Sequence, residues 1–217
     1  MARNVNVGLV GYSFMGKAHS HAYKDMSFFF PDAAGIPVMK VLCGRNKENV
    51  INSANEFGWE GYETDWKRLV AREDIDLVDI STPGDSHAEI AIAAAEAGKH
   101  VFCEKPLAVT FEDSIAQRNA VAKSDTLFQM GFMRRFDPAY TAAKAKIEEG
   151  VTGRLIMFKS SSRDPSRPSL DYLHPEKSGG IFVDMGIHDF DLALWFMGPV
   201  RQVFSTGGVL VYPEIGE

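Results

Sequence analysis

The chain has 217 residues, enough for one large domain or two small ones. Its 45% apolar and 24% charged residues are typical of a globular protein, and a net charge of −6 without a basic stripe argues against nucleic acid and anionic membranes as partners. Cys43 and Cys103 lie in apolar runs, which favours a reducing compartment over a disulfide framework. Because we find neither an apolar signal core nor an apolar run of membrane length, we expect a soluble cytoplasmic protein.

The first segment has the pattern of a strand, a glycine-rich turn and a helix. Residues 4–10 are rich in Val and Leu, Gly11-Tyr12-Ser13-Phe14-Met15-Gly16 follows, and residues 17–26 contain no helix breaker. This order is the context of a dinucleotide fingerprint, in which glycine permits a tight turn and the helix N-terminus offers N–H groups to a pyrophosphate. Ser13 replaces the middle glycine, so its side chain either opens the site slightly or bonds the phosphate. The residues expected to bind the dinucleotide here are Gly11, Ser13, Phe14, Met15 and Gly16.

A second strand, residues 38–43, ends at Gly44-Arg45-Asn46. A fold that prefers NAD commonly places an acidic residue near this point for the ribose hydroxyls. Arg45 could instead meet a 2′-phosphate, lie over the adenine or be an ordinary solvated arginine. The sequence therefore leaves both NAD and NADP open.

The alternation of strands and helices continues to about residue 133. Thr64 is expected to cap a short helix, and Thr110 with Asp113 a longer one. The further elements predicted in this region are helices over residues 47–57, 87–97 and 110–123 and strands over residues 77–80, 100–103 and 126–132. Such β–α alternation predicts a doubly wound parallel sheet, a Rossmann domain over residues 1–133.

Two of these strands run into chemically distinctive turns, Ser81-Thr82-Pro83 and Glu104-Lys105-Pro106. Ligands bind at the carboxyl ends of strands in open α/β sheets. Proline keeps the preceding residue extended, so Lys105 would point across a crevice rather than join a helix. The alternative is a solvated lysine in an ordinary turn.

The pattern changes after residue 134. We predict a helix over residues 138–149, a strand over 154–162, a loop over 166–178, a helix from His188 to about Met197 and a strand over 201–212. Long strands joined by irregular loops predict an α+β second domain with an open sheet, residues 134–217.

Asp184 and His188 form a second chemical cluster. Their i, i+4 spacing at a helix start places both side chains on one face. An imidazole beside a carboxylate is held in one tautomer and can accept a proton near neutral pH. The pair could also be two metal ligands, but no third ligand has a persuasive spacing, so no metal is expected. An N-capping aspartate with a satisfied histidine is the remaining alternative.

These motifs together resemble those of the Gfo/Idh/MocA oxidoreductases, and within that family the inositol 2-dehydrogenases. The resemblance covers nearly the whole chain. It rests on Gly11-x-Ser13-x-x-Gly16, Thr82-Pro83, Glu104-Lys105-Pro106, residues 131–138, Ser162-Arg163-Asp164-Pro165 and residues 178–191. Family members are usually considerably longer, so the second domain would be incomplete in this chain.

The resemblance implies an NAD- or NADP-dependent dehydrogenase that oxidises a ring hydroxyl of a cyclic polyol, with myo-inositol as the leading substrate. It implies Lys105, Asp184 and His188 as catalytic residues: His188 accepts the hydroxyl proton, Asp184 orients it, and Lys105 stabilises charge on the reacting oxygen. It also implies sets of cofactor residues (Arg45, Ser81, Thr82, Pro83, His87, Glu104 and Lys105) and substrate residues (Arg135, Arg163, Asp164, Asp184 and His188).

Two other functions stay open. A sugar or anhydrosugar dehydrogenase of the same family would use the same catalytic residues, and the loop over residues 164–177 would distinguish it. A nucleotide-binding regulatory fragment would bind the dinucleotide without hydride transfer. The expected partners are a small polyol or sugar and further copies of the chain, a dimer or tetramer formed through the second-domain sheet, with neither nucleic acid nor membrane.

Overall fold

The computed structural model describes residues 3–166 and 168–209. The chain divides after Gly131 into two compact units.

The first unit contains a six-stranded parallel sheet of order β3-β2-β1-β4-β5-β6. Its strands are β1 (Arg3–Val10), β2 (Gly35–Cys43), β3 (Gly61–Glu63), β4 (Leu77–Ile80), β5 (His100–Cys103) and β6 (Phe128–Met130). The strand order reverses between β1 and β4, which is the topological switch point at which doubly wound sheets bind ligands. The predicted Rossmann fold is confirmed.

The described residues of the first unit form five α-helices: α1 (Phe14–Phe29), α2 (Lys47–Phe57), α3 (Trp66–Val70), α4 (His87–Glu96) and α5 (Phe111–Lys123). The sequence signals for their ends mostly hold. Gly58 ends α2 in the left-handed conformation, and Thr110 caps α5 by accepting the Asp113 N–H at 3.1 Å. The expected Thr64 cap is wrong, because the Asp65 carboxylate caps α3 instead, accepting the Lys67 N–H at 2.9 Å.

The strands are apolar on both faces because helices cover both faces of the sheet. On one side a buried cluster joins β4 residues Val78 and Ile80 to Leu69 of α3 and Ile90 of α4. On the other side Leu9 packs with residues of α2. This double burial fixes the register of the strands.

The carboxyl ends of five strands lie in one row. Parallel pairing places Cys43 beside Val10, Val10 beside Ile80, Ile80 beside Cys103, and Cys103 beside Met130. Each strand thus delivers its following residue to the same edge of the sheet.

The described residues of the second unit contain no β-strand. Its helices are α6 (Pro138–Glu148), α7 (Leu170–Leu173), α8 (Pro175–Ser178), α9 (Gly180–Asp184) and α10 (Ile187–Met197). The strands expected over residues 154–162 and 201–209 are wrong, and residues 210–212 of the second lie outside the described residues. Alternation alone does not make a strand, which needs ladder hydrogen bonds to a neighbour, and Ile156 and Met157 here are 88% and 77% exposed.

No helix in the described part of the chain is long and apolar enough to cross a membrane.

Candidate functional site

The turn between β1 and α1 can be built only with glycines at its two ends. Gly11 has φ +108°, and a Cβ there would lie 2.8 Å from the Ser81 carbonyl group. A Cβ on Gly16 would lie 2.2 Å from the Gly11 carbonyl oxygen. Ser13 occupies the N-cap position of α1 without a side-chain cap bond, and the first turn carries no acidic residue. The turn therefore leaves helix N–H groups for an anionic ligand, which fits the diphosphate of a dinucleotide.

The end of β2 has equally close packing. A Cβ on Gly44 would lie 2.0 Å from Cε1 of Tyr12, so the ring of Tyr12 packs directly on the backbone there. Asn46 is engaged as the cap of α2, accepting the Asn49 N–H at 3.0 Å. Arg45, between them, is exposed. Arg45 is therefore the side chain of this turn that can change without disturbing the Tyr12 contact or the cap of α2.

The turn after β4 is joined to the turns on both sides of it. The Ser81 hydroxyl donates to the carbonyl oxygens of Val10 and Gly11 at 3.3 Å each. His87 is fully buried, with Nε2 2.8 Å from the Thr82 carbonyl oxygen and Nδ1 2.6 Å from that of Pro106. The expected contact of His87 with the cofactor is therefore corrected: His87 braces the turns that carry Thr82-Pro83 and Lys105.

Lys105 follows Glu104 at the end of β5, is half-buried, and precedes a cis peptide bond to Pro106. Glu104 is 8% exposed, and its Oε2 accepts the Lys105 backbone N–H at 3.1 Å. A Cβ on Gly131 would lie 2.9 Å from Glu104 Oε1, so the next strand end packs closely behind this carboxylate. These contacts fix the position of Glu104, and through it the backbone of the adjacent Lys105.

Sequence reasoning missed the residues that hold Glu104. His19 of α1 places Nε2 3.1 Å from Glu104 Oε1, and its Nδ1 lies 2.9 Å from Asp79 Oδ2. Burial lowers the pKa of His19, but the hydrogen bonds and charges of Asp79 and Glu104 outweigh it and raise that pKa to about 10. The one available signal was Asp79, an acidic residue inside the apolar run of β4.

In the second unit the predicted catalytic pair, Asp184 and His188, lies where two helices meet. Asp184 is the last residue of α9, and His188 lies in the first turn of α10. The Tyr172 hydroxyl, on α7, donates to Asp184 Oδ1 at 2.9 Å. Tyr172 was not predicted, because nothing in a loop sequence shows which side chain reaches a carboxylate twelve residues away.

The Asp189 carboxylate, next to His188, accepts hydrogen bonds from three side chains. Arg134 Nη1 donates at 2.8 Å and the Ser160 and Ser162 hydroxyls at 2.6 and 2.5 Å. Burial alone would raise the pKa of Asp189, but these three hydrogen bonds outweigh it and lower that pKa. The start of α10 is therefore tied to two other segments of its unit.

Arg135, which is expected to bind substrate, contacts α10. Its guanidinium makes a two-pronged bond to Asp191, with Nη2 2.8 Å from Oδ1 and Nε 2.9 Å from Oδ2, and lies 5.4 Å from the Trp195 ring centroid. Arg135 thus holds α10. Arg163 and Asp164 are exposed.

Comparison with known proteins decides the family. The model of the oxidoreductase family with an NAD-binding Rossmann fold matches residues 5–132, and that of the GFO/IDH/MocA C-terminal domain matches residues 140–216. The chain belongs to the Gfo/Idh/MocA family.

Its relatives in this family act on different ring compounds. The chain is 43% identical over 213 residues to levoglucosan dehydrogenase of Pseudarthrobacter phenanthrenivorans, covering 94% of this chain and 55% of that protein. It is 35% identical over 214 residues to myo-inositol 2-dehydrogenase of Thermotoga maritima, covering 98% and 61%. A solved levoglucosan dehydrogenase in complex with NADH and levoglucosan superposes with a TM-score of 0.84 at 44% identity, over 90% of this chain and 54% of that one.

This Gfo/Idh/MocA chain thus spans a little over half the length of these relatives. The sequence-based assignment to the family is confirmed, as is its class of cofactor, because the matching N-terminal family model describes an NAD-binding Rossmann fold. No group of three potential metal ligands occurs among the residues that the structure describes.

Proposed function

We propose that the chain is the cofactor-binding and catalytic part of an NAD-dependent dehydrogenase that oxidises a ring hydroxyl of a small polyhydroxy compound. The observation that carries the proposal is the row of strand ends in the first unit. It presents Lys105 on the same sheet edge as the Gly11–Gly16 turn. A cation at the edge that binds the dinucleotide is placed for chemistry at a reacting oxygen.

The roles of the chain's residues follow from their groups. A bound nicotinamide supplies the hydride acceptor. His188 accepts the hydroxyl proton, for which a neutral imidazole is suited near neutral pH. Asp184, held by the Tyr172 hydroxyl, orients His188 and binds a neighbouring hydroxyl. Lys105 donates to the reacting oxygen and stabilises its developing negative charge. Gly11, Ser13, Phe14, Met15 and Gly16 bind the cofactor with the Ser81–Pro83 turn, Arg45 and Glu104.

We place an anhydrosugar first among the substrates and an inositol second. The sequence motifs alone favour myo-inositol. The support for the anhydrosugar is the higher identity to levoglucosan dehydrogenase, 43% against 35% for myo-inositol 2-dehydrogenase. NAD is placed before NADP because the superposed levoglucosan dehydrogenase holds NADH.

Reduction of the dinucleotide by the purified chain tests the proposal. NAD or NADP is offered with levoglucosan, myo-inositol, scyllo-inositol or glucose, and nicotinamide absorbance is followed. We expect reduction of NAD with levoglucosan. Dinucleotide binding without reduction by any substrate would contradict the proposal and favour the regulatory alternative.

Lys105→Ala tests the central assignment. Losing a donor to a developing oxyanion costs on the order of 10²- to 10³-fold in kcat. We expect that loss with the Kd for NADH within about threefold of the parent, whereas Lys123→Ala, which removes an exposed lysine from the end of α5, leaves both values unchanged. An equal loss of NADH binding and turnover in Lys105→Ala would contradict the catalytic role.

The homo-oligomer and the cytoplasmic location stay predictions. Light scattering on the purified chain tests the first. A mass equal to the single-chain value of 24.0 kDa would contradict it.

A further inference from the structure

Four polar side chains meet on the face of the sheet that α1 covers, and none of them was predicted as catalytic. They are His19 and Tyr23 of α1, Asp79 of β4 and Glu104 after β5, called here the His19 cluster. His19 joins the two carboxylates, with Nδ1 2.9 Å from Asp79 and Nε2 3.1 Å from Glu104. The Tyr23 hydroxyl donates to Asp79 at 2.6 Å, and the His19 ring stacks on Phe102 with centroids 5.1 Å apart.

The cluster is almost completely shielded from water. The side chains of His19, Asp79 and Glu104 are 10%, 0% and 10% exposed. Two carboxylates buried around one imidazole are tolerable only if that imidazole carries a proton on each nitrogen and donates to both. A buried charge left without its partner is far more costly than a lost exposed pair.

The hydrogen bonds of the His19 cluster also connect two parts of the proposed site. His19 lies on α1, the helix that begins at the Gly11–Gly16 turn. Glu104 uses Oε1 for His19 and Oε2 for the backbone N–H of Lys105. One imidazole therefore links the helix of the cofactor turn to the residue that carries the proposed oxyanion donor.

We propose that His19 is a positioning residue that fixes the Lys105 turn against the helix of the cofactor turn. The inference rests on the proposed function, since it assigns Lys105 a task that needs precise placement. A misplacement of about 1 Å is enough to cost on the order of 10²-fold in rate. Removing the imidazole frees Glu104 Oε1, and the Lys105 turn then loses its link to α1.

The test compares His19→Gln with His21→Gln, which changes an exposed histidine of the same helix. We expect His19→Gln to lower kcat by about tenfold or more, with KM for the polyol and Kd for NADH within about threefold. The amides of residues 104–108 should exchange hydrogen faster than in the parent. His21→Gln should change none of these values.

A pH profile separates positioning from mere packing. The titratable groups facing His19 are Asp79, Glu104 and, through Asp79, Tyr23, with the Cys103 thiol close to both carboxylates. The imidazole of the parent donates to both carboxylates only while it is protonated, and its pKa is raised to about 10, whereas the side-chain amide of the His19→Gln variant does not titrate. The parent kcat should therefore fall towards that of His19→Gln as pH rises towards 10, whereas a packing defect gives a constant ratio.

The double variant His19→Gln/Glu104→Gln keeps the test informative if the single variant folds poorly. Two neutral amides can make the same pair of bonds, to each other and to the Lys105 N–H, so this variant should recover at least about threefold of the lost kcat. A kcat and an amide exchange in His19→Gln equal to those of His21→Gln would overturn the inference. A parent chain that is inactive with every polyol would contradict the proposed function. Hydrogen exchange of the amides of residues 104–108 needs no turnover, so it would still test the role of His19.

Discussion

The two units hold their proposed site residues in different ways. In the first, Glu104 and Asp79 are buried against a complete parallel sheet and share one histidine. In the second, Asp189 and Asp191 lie on α10 and are held by Arg134 and Arg135, in pairs that water partly reaches.

The two units therefore fix their proposed catalytic residues by different contacts. Strand register and buried charge fix Lys105, whereas arginine pairs and a tyrosine hydroxyl fix the segment that carries Asp184 and His188. Breaking a buried pair costs about 3–5 kcal/mol, while an exposed pair contributes about 1 kcal/mol or less. We therefore expect the loss of a buried charge in the first unit to cost more stability than the loss of one of these arginine pairs in the second.

The pH dependence of stability should show the largest effect. The pKa of His19 is about 10 in the folded chain against 6.5 in the unfolded one, so its contribution is complete below pH 6.5 and is lost as pH rises towards 10. The full change is on the order of 5 kcal/mol. It is measured as the difference between parent and His19→Gln in hydrogen exchange of the β4 and β5 amides across this range.

Comparing the parent with His19→Gln also cancels the contribution of the two buried thiols to the pH dependence of stability. Burial raises the pKa of the Cys43 thiol to about 12 and that of Cys103 further still, so both thiols also reduce stability above about pH 8.5. They do so in parent and variant alike. Parallel stability curves for the two proteins would show that His19 is not the group responsible.

A matched pair of substitutions compares the units directly. Asp79→Asn removes a fully buried charge beside His19 and should cost about 3 kcal/mol in the free energy of unfolding. Asp189→Asn keeps partial bonds to Arg134 and two serines at a more exposed site and should cost about 1 kcal/mol. Urea unfolding followed by hydrogen exchange of each unit measures both, and equal costs would show that the two units do not differ in how firmly they hold their carboxylates.

A smaller effect than that of Asp79→Asn is expected for Tyr172→Phe. It removes only the hydroxyl that donates to Asp184 Oδ1, a bond to a charged acceptor worth about 1.5–3 kcal/mol. Part of this contribution is regained from water, so kcat should fall by about tenfold while Kd for NADH stays constant. Tyr62→Phe, on β3, is the control. An unchanged kcat would mean that Asp184 needs no help from α7.

Local signals in the sequence were enough for the first unit. Glycines at positions 11 and 16, the apolar runs and the lysine before proline predicted the sheet, the turn and the placement of Lys105 at its edge. The His19 cluster escaped because its contacts span 60 and 85 residues, and only the fold brings them together. An aspartate inside an apolar strand shows that a partner exists but not which residue it is.

The second unit was harder because its expectations depended on pairing. Alternation over residues 154–162 satisfies the strand pattern. These residues nevertheless form no strand, because their backbone has no neighbouring strand to pair with among the described residues. Arg135 shows a similar limit. An arginine within a family motif is compatible with binding substrate or with holding a helix, and the bond to Asp191 could not be predicted from the sequence.

The packing of Tyr12 on Gly44 limits how the coenzyme preference of this chain can be re-engineered. Any side chain at position 44 would displace that ring, since its Cβ would lie 2.0 Å from Tyr12 Cε1. Replacing Asn46 would remove the cap of α2. A library that changes selectivity between NAD and NADP without loss of stability is therefore best centred on position 45, whose side chain is exposed.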